Sequence, residues 1–226
     1  MTSTAKRILT VLTSHDRLGD TGRTTGFYVS EAAHPWEVFR KAGFEVELAS
    51  IAGGEPPQDG HDPADPVQRE FTEVFGEELR KTPRLADVDP AGYDAVFFAG
   101  GHGTMWDFPG DEDVARVARA VYERGGVVAA VCHGPSALVD VTLSDGSHLV
   151  SGRRVAAFTN AEEAAVGLTG VVPFLLADAL TERGALHSAA PDFTGHAVRD
   201  GRLVTGQNPA SAVRVAEEVV AALTGK

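Results

Sequence analysis

Apolar and polar positions follow two rhythms along this chain, one of period two and one near 3.6, and the rhythms take turns. Residues 6–12 carry Ile8, Leu9, Val11 and Leu12 and read as a first strand. Residues 14–25 are polar and glycine-bearing, hence a loop. Residues 30–43 place Ala33, Trp36, Val38 and Phe39 at helical spacing and stop at Gly43, a plausible C-cap. Residues 44–49 alternate and predict a second strand. Residues 51–66 hold Pro56, Pro57, Pro63 and Pro66 among acidic residues, which predicts a surface insert with little core capacity. Residues 67–80 read as a helix solvated on most faces.

The alternation continues downstream. Residues 93–99 form an apolar strand that runs into Gly100-Gly101-His102-Gly103. Val114, Val117, Ala118 and Val121 mark a helix over 111–124, with Gly125 as its stop. Val127-Val128-Ala129-Ala130-Val131 is a buried strand that ends at Cys132. Residues 144–152 are turn-rich, 155–158 predict a short strand, and 173–183 an amphipathic helix with Pro173 near its start. Asp200-Gly201 between two short apolar runs predicts a tight hairpin, and 209–223 a closing helix. Strands alternating with helices predict a single α/β domain over 1–226. Its sheet would be mostly parallel, with helices on both faces, as in flavodoxin-like folds. Sites in such sheets lie beyond the carboxyl ends of the strands. Gly100 to Gly103 and Cys132 both fall there.

Composition narrows the classes. The 226 residues, 43% of them hydrophobic, suffice for one sizeable core. Against 20 basic residues stand 32 acidic ones, a net charge of −12, which disfavours nucleic acid and anionic membranes as partners. No apolar run approaches the ~18 residues of a membrane span. Residues 1–13 lack the apolar core and cleavage site of a signal peptide and read instead as leading into the first strand. A single cysteine cannot form an internal disulfide, which suits a reducing, cytoplasmic setting.

That cysteine is the main chemical clue. A strand, a sharp turn at Cys132 and small helix-compatible residues after it share the logic of the nucleophile elbow. A thiol at a helix N-terminus is expected to have a lowered pKa, since free N–H groups and the helix dipole favour an anion. His133 is an adjacent donor or proton carrier. The alternative is a small cysteine that merely packs.

The glycine loop after the third strand fits no phosphate motif, because Trp106 occupies the last glycine position of the dinucleotide fingerprint. It suits an oxyanion hole, with Gly100, Gly101 and His102 near a ligand, or equally a plain turn. The eight histidines show no metal-binding spacing, so neither metal nor cofactor is expected. Glu31 stands out among apolar and small neighbours, and Glu162 and Glu163 follow the 155–158 strand. Taken alone, all three also fit solvated carboxylates at helix starts.

Several segments together resemble the ThiJ/PfpI superfamily, relatives of class I glutamine amidotransferase domains. They are Ala130-Val131-Cys132-His133-Gly134-Pro135, Ala99 to Gly103, Thr25 to Glu31 with His34-Pro35, Phe158 to Glu163, Val172 to Leu176, and Leu203 to Ser211. The later segments are similar to the branch that holds heat-shock chaperones and glyoxalases needing no cofactor. The resemblance implies Cys132 as nucleophile, His133 as general acid/base and Glu31 as a proton-transfer carboxylate against the thiol. It implies Glu163 as the residue orienting His133, with Glu162 the near alternative, and Gly101 and His133 as backbone donors to an oxyanion. The implied reaction turns methylglyoxal and similar small dicarbonyls into 2-hydroxy acids without glutathione, in a homodimer. Rival readings are a cysteine peptidase or amidase using Cys132, His133 and Glu163, a holdase chaperone or stress-response protein, and a redox sensor at Cys132. The 51–66 insert is longer and more acidic than this branch implies. No downstream histidine–glutamate pair supports glutamine hydrolysis.

Overall fold

Residues 5–225 of a computed structural model are described; the first four residues of the 1–13 segment and Lys226 lie outside them. The strands are β1 (Arg7–Leu12), β2 (Phe27–Tyr28), β3 (Glu45–Ser50), β4 (Gln58–Asp59), β5 (Ala95–Phe98), β6 (Val127–Val131), β7 (Arg154–Val155), β8 (Leu186–His187), β9 (Ala197–Asp200) and β10 (Leu203–Gly206). The helices are α1 (Val29–Lys41), α2 (Pro66–Leu79), α3 (Thr104–Asp107), α4 (Glu112–Glu123), α5 (Asn160–Ala165), α6 (Leu176–Glu182) and α7 (Ala212–Thr224). Six strands form one sheet in the order β3-β1-β5-β6-β10-β9. It is parallel except where the Asp200-Gly201 hairpin sets β9 antiparallel to β10.

Both faces of the central strands are apolar, and the period of two assigns each residue to a side. In β6, Val127, Ala129 and Val131 pack toward α1 and α7, among Phe39, Val215 and Val219. Val128 and Ala130 face the other way, toward Val117 and Val121 of α4 and Leu180 of α6. Strand β5 divides in the same way, with Phe97 meeting Phe39 edge-on at 5.9 Å. Helix α4 starts where Asp111 accepts from the N–H groups of Asp113 and Val114, a side-chain N-cap.

The structure departs from the sequence pattern at several places. The chain after Cys132 forms a 3₁₀ helix over Gly134–Leu138, not an α-helix. The strand expected over 155–158 shortens to β7, which pairs with β8 outside the main sheet. Ala156 donates to Thr205 Oγ1 and Phe158 to the Cys132 carbonyl, so their amides are taken by other partners than a ladder. Helix α6 begins at Leu176, because Leu175 still has extended backbone. The closing helix opens with a 3₁₀ turn over Pro209–Ser211. Helix α2 is less solvated than its pattern predicts: Gln68, Phe71, Phe75 and Leu79 are buried, and both phenylalanines meet Trp36 at 5.8 Å. The proline-rich insert also does more than cover surface. Its β4 pairs with β2, and the Pro57 carbonyl accepts from Phe27 N–H at 2.9 Å.

Phe97→Ala is expected to cost about 3–5 kcal/mol, because it empties the junction of β5 and α1. A shift of the urea midpoint at constant slope measures it.

Candidate active site

Cys132 has φ of 60°, in the left-handed region that side chains rarely adopt. The turn is held from several sides. Its N–H donates to the Gly206 carbonyl at 2.9 Å, and its carbonyl accepts from Phe158 at 3.0 Å. The elbow packs directly on the chain leaving β5. A side chain at Gly134 would stand 2.4 Å from the Phe98 carbonyl oxygen, and one at Gly100 would meet Glu31 Oε2 at 2.3 Å and Cys132 Cβ at 3.0 Å. Glycine is therefore required at both positions.

Around the thiol the fold brings together every sequence-predicted site residue. Glu31, from the first turn of α1, is fully buried, and neither of its carboxyl oxygens has a satisfying hydrogen-bond partner. Its polar neighbours are the Cys132 thiol and the Gly100 N–H. His133 Nδ1 lies 3.4 Å from Cys132 Sγ, and its Nε2 lies 2.8 Å from Glu163 Oε2. His102 Nε2 meets the other oxygen, Oε1, at 3.0 Å, and its ring tilts over the His133 ring with centroids 4.0 Å apart. The Gly101 N–H has no protein acceptor among the described residues. The His133 N–H faces the sulfur.

Glu162, one residue away, has a different job. It closes a capping box with Thr159 and accepts from Phe193 N–H, Gln207 Nε2 and Asn208 Nδ2. The choice between the two glutamates is decided by helix α5: successive residues point about 100° apart, so one faces the histidines and the other the loop.

The electrostatics differ from the sequence expectation. Burial pushes the Cys132 thiol up, and the Glu31 carboxyl adds to that, so the expected lowering by a helix N-terminus is corrected. The regular helix that would have supplied the dipole is absent. Burial likewise pushes Glu31 up to about 8. Two anions are costly side by side in a dry site, so the Glu31–Cys132 pair gives up only one of its two protons as the pH rises toward about 8, and the one that remains is shared between them. Burial and the neighbouring His102 bring His133 down to about 4, against the pull of Glu163. Burial opposes ionisation of Glu163 too, but hydrogen bonds from both histidines outweigh it and hold it at about 2. The consistent state is a neutral His133 that donates Nε2–H to Glu163 and presents Nδ1 to the thiol.

These groups open into a cavity of about 230 Å³, also lined by Tyr28, Asp59, Phe158, Val166, Phe193 and Pro209. Tyr28 and Asp59 were missed by sequence reasoning. Asp59 comes from the proline-rich insert, and Tyr28 is fixed by Gly60, where a side chain would strike its ring at 2.1 Å. No periodicity signals either. A larger hollow of about 560 Å³ lies beside Lys6, Arg7 and Arg124, but Lys6 and Arg7 are already paired with Asp94 and Glu47. Among the described residues one group could hold a metal ion: His102, His133 and Glu163 offer ligand atoms within 4.8 Å of one another. Sequence spacing hid this, because three separate segments supply it.

A cysteine on a tight strand-end turn of a parallel sheet, with a histidine–carboxylate pair and a second buried carboxyl, defines a cysteine-centred α/β enzyme class. The chain belongs to the DJ-1/PfpI family, whose model matches residues 24–222. It is 37% identical to glyoxalase 3 of Candida albicans, covering 96% of this chain and 98% of that protein. It is 34% identical to the glutathione-independent glyoxalase HSP31 of Saccharomyces cerevisiae, over 96% and 98%. The crystal structure of glyoxalase III from Candida albicans superposes with a TM-score of 0.89 at 34% identity, covering 96% of this chain and 97% of that one.

A carboxyl with a pKa above its unfolded value stabilises the fold below the unfolded value, and that contribution is lost as pH rises through the folded one. Wild-type stability should therefore fall relative to Glu31→Gln between about pH 4.5 and 8. The limiting slope is about 1.4 kcal/mol per pH unit. Paired denaturant titrations at pH 5 and pH 8 measure it.

Proposed function

We propose that this protein is a glutathione-independent glyoxalase that converts methylglyoxal and similar 2-oxoaldehydes to 2-hydroxy acids. The observation that carries the reading is the buried, unsatisfied Glu31 carboxyl beside the Cys132 thiol. A hydrolase triad has no use for a second carboxyl there, whereas moving a proton between adjacent carbons requires one. Full-length similarity to the Candida albicans and Saccharomyces cerevisiae glyoxalases supports the same reaction.

In this mechanism the sulfur attacks the aldehyde carbon, and the proton held by the Glu31–Cys132 pair passes to the aldehyde oxygen. The backbone N–H groups of Gly101 and His133 steady the charge that develops there. The product is a hemithioacetal. Glu31, now ionised, removes the proton on the former aldehyde carbon and returns it to the neighbouring carbon. The hydroxyl proton passes between the two oxygens of the enediol. The result is a thioester of the 2-hydroxy acid. Water activated by His133, with Glu163 stabilising the imidazolium that forms, cleaves the thioester and restores the thiol. A raised Glu31 pKa matches this work, since a base is most effective near the operating pH. His102 shares Glu163 with His133 and keeps the carboxylate oriented.

The proposal extends to the setting. The lone cysteine suits a reducing cytoplasm. No described helix is long and apolar enough to cross a membrane. A homodimer is also proposed, and light scattering coupled to size exclusion should return about twice the 23.7 kDa chain mass.

Wild type should form lactate from methylglyoxal without glutathione. Cys132→Ala and Glu31→Gln should each lower kcat by at least about a thousandfold. Peptide cleavage without any lactate would move the assignment to the cysteine hydrolase.

A further inference from the structure

On the glyoxalase reading, we infer that Phe193 sets substrate specificity and that the site favours 2-oxoaldehydes with an aromatic or bulky apolar substituent. A cavity of about 230 Å³ is large for the smallest substrate. It has the room of roughly eight waters, and methylglyoxal would fill about half of it or less. The polar groups gather at one end, around Cys132, Glu31, His133 and Gly101. The dicarbonyl is held there. The apolar part of the wall is made by Phe158, Val166, Phe193 and Pro209, of which Val166 and Phe193 are exposed and so stand at the mouth. The Asp59 carboxyl on the remaining wall disfavours an acidic substituent.

Phe193 is not a stray surface aromatic. Five large apolar side chains are exposed among the described residues, and two of them, Val166 at 41% and Phe193 at 50%, flank this one opening. Phe193 has φ of 57°, a conformation that a bulky residue adopts only when its surroundings impose it. They do so through Glu162, whose Oε1 accepts from Phe193 N–H at 2.8 Å. The same oxygen accepts from Gln207 and Asn208, and these two also grip the loop at Ala190 and Thr194. The buried network thus holds a strained loop so that its ring stands over the cavity, 6.3 Å from Phe158 and inclined at 60°. A half-exposed ring gains little packing from that position. The edge contact with Phe158 leaves half of the ring exposed, and an aromatic substituent lying against that exposed face covers it.

Phenylglyoxal is the probe. Its conversion adds one water and gives mandelate. The aldehyde carbon is oxidised to the carboxyl level while the ketone carbon is reduced to the alcohol, so no outside oxidant enters. Steady-state kinetics on methylglyoxal and phenylglyoxal with wild type, Phe193→Ala and Phe193→Tyr test the inference, with melting temperatures as the check on folding. Wild type should show a KM for phenylglyoxal about tenfold below that for methylglyoxal. Phe193→Ala should raise the phenylglyoxal KM about tenfold, with a smaller change in kcat, and Phe193→Tyr should restore the wild-type preference. Methylglyoxal turnover without a phenylglyoxal preference, or an unchanged preference in a folded Phe193→Ala, overturns the specificity role and leaves the glyoxalase reading standing. Wild type inactive on both substrates overturns both.

Discussion

The left-handed turn at Cys132 is the constraint on which the site depends. A non-glycine residue stays in that conformation only when hydrogen bonds and packing on several sides hold it there. Here β10 and the 156–158 segment hold its amide and carbonyl, and the chain leaving β5 packs so closely that Gly100 and Gly134 have no room for side chains. Each of those contacts also positions something else. The approach of Gly100 sets Glu31 against the thiol, and the bond from Phe158 turns the chain into α5, which carries Glu163. One strained residue thereby fixes the distances among groups from four segments.

Burial then sets the chemistry. In water a thiol beside a glutamate would have little reason to share a proton. In a dry pocket, two anions raise each other's cost, and the pair behaves as a single titrating unit. The second pair, His133 and Glu163, settles oppositely, because a carboxylate with two donors stays ionised while its buried imidazole stays neutral. The site thus has a protonated carboxyl–thiol pair on one side of the sulfur and a neutral, oriented imidazole on the other. Folding bears the cost, since the unsatisfied Glu31 carboxyl weakens the native state above its unfolded pKa.

The wall of the cavity is built from segments with weak sequence signals. The proline-rich insert contributes Asp59 and seats Tyr28, through a two-residue pairing too short to show any alternation. The 190–194 loop owes its shape to Glu162, Gln207 and Asn208, none of them adjacent to it. Its sequence, Ala190 to Thr194, shows no periodicity that would reveal one aromatic ring aimed at the site.

The alternation of elements, the parallel sheet with its edge hairpin, and the turn at Cys132 were legible along the chain. These rest on local rules: side-chain period, glycine at tight turns, and a nucleophile at a strand end. The resemblance of its motifs also pointed to Glu31 and Glu163, although spacing alone left both open. That Glu163 rather than Glu162 meets the histidines, that His102 joins them, and that burial pushes the thiol up rather than down emerge from long-range packing. Those outcomes depend on which segments meet across the carboxyl edge of the sheet and on how much water they exclude. Pairings between residues dozens of positions apart, and the burial they create, leave no periodic trace in the chain.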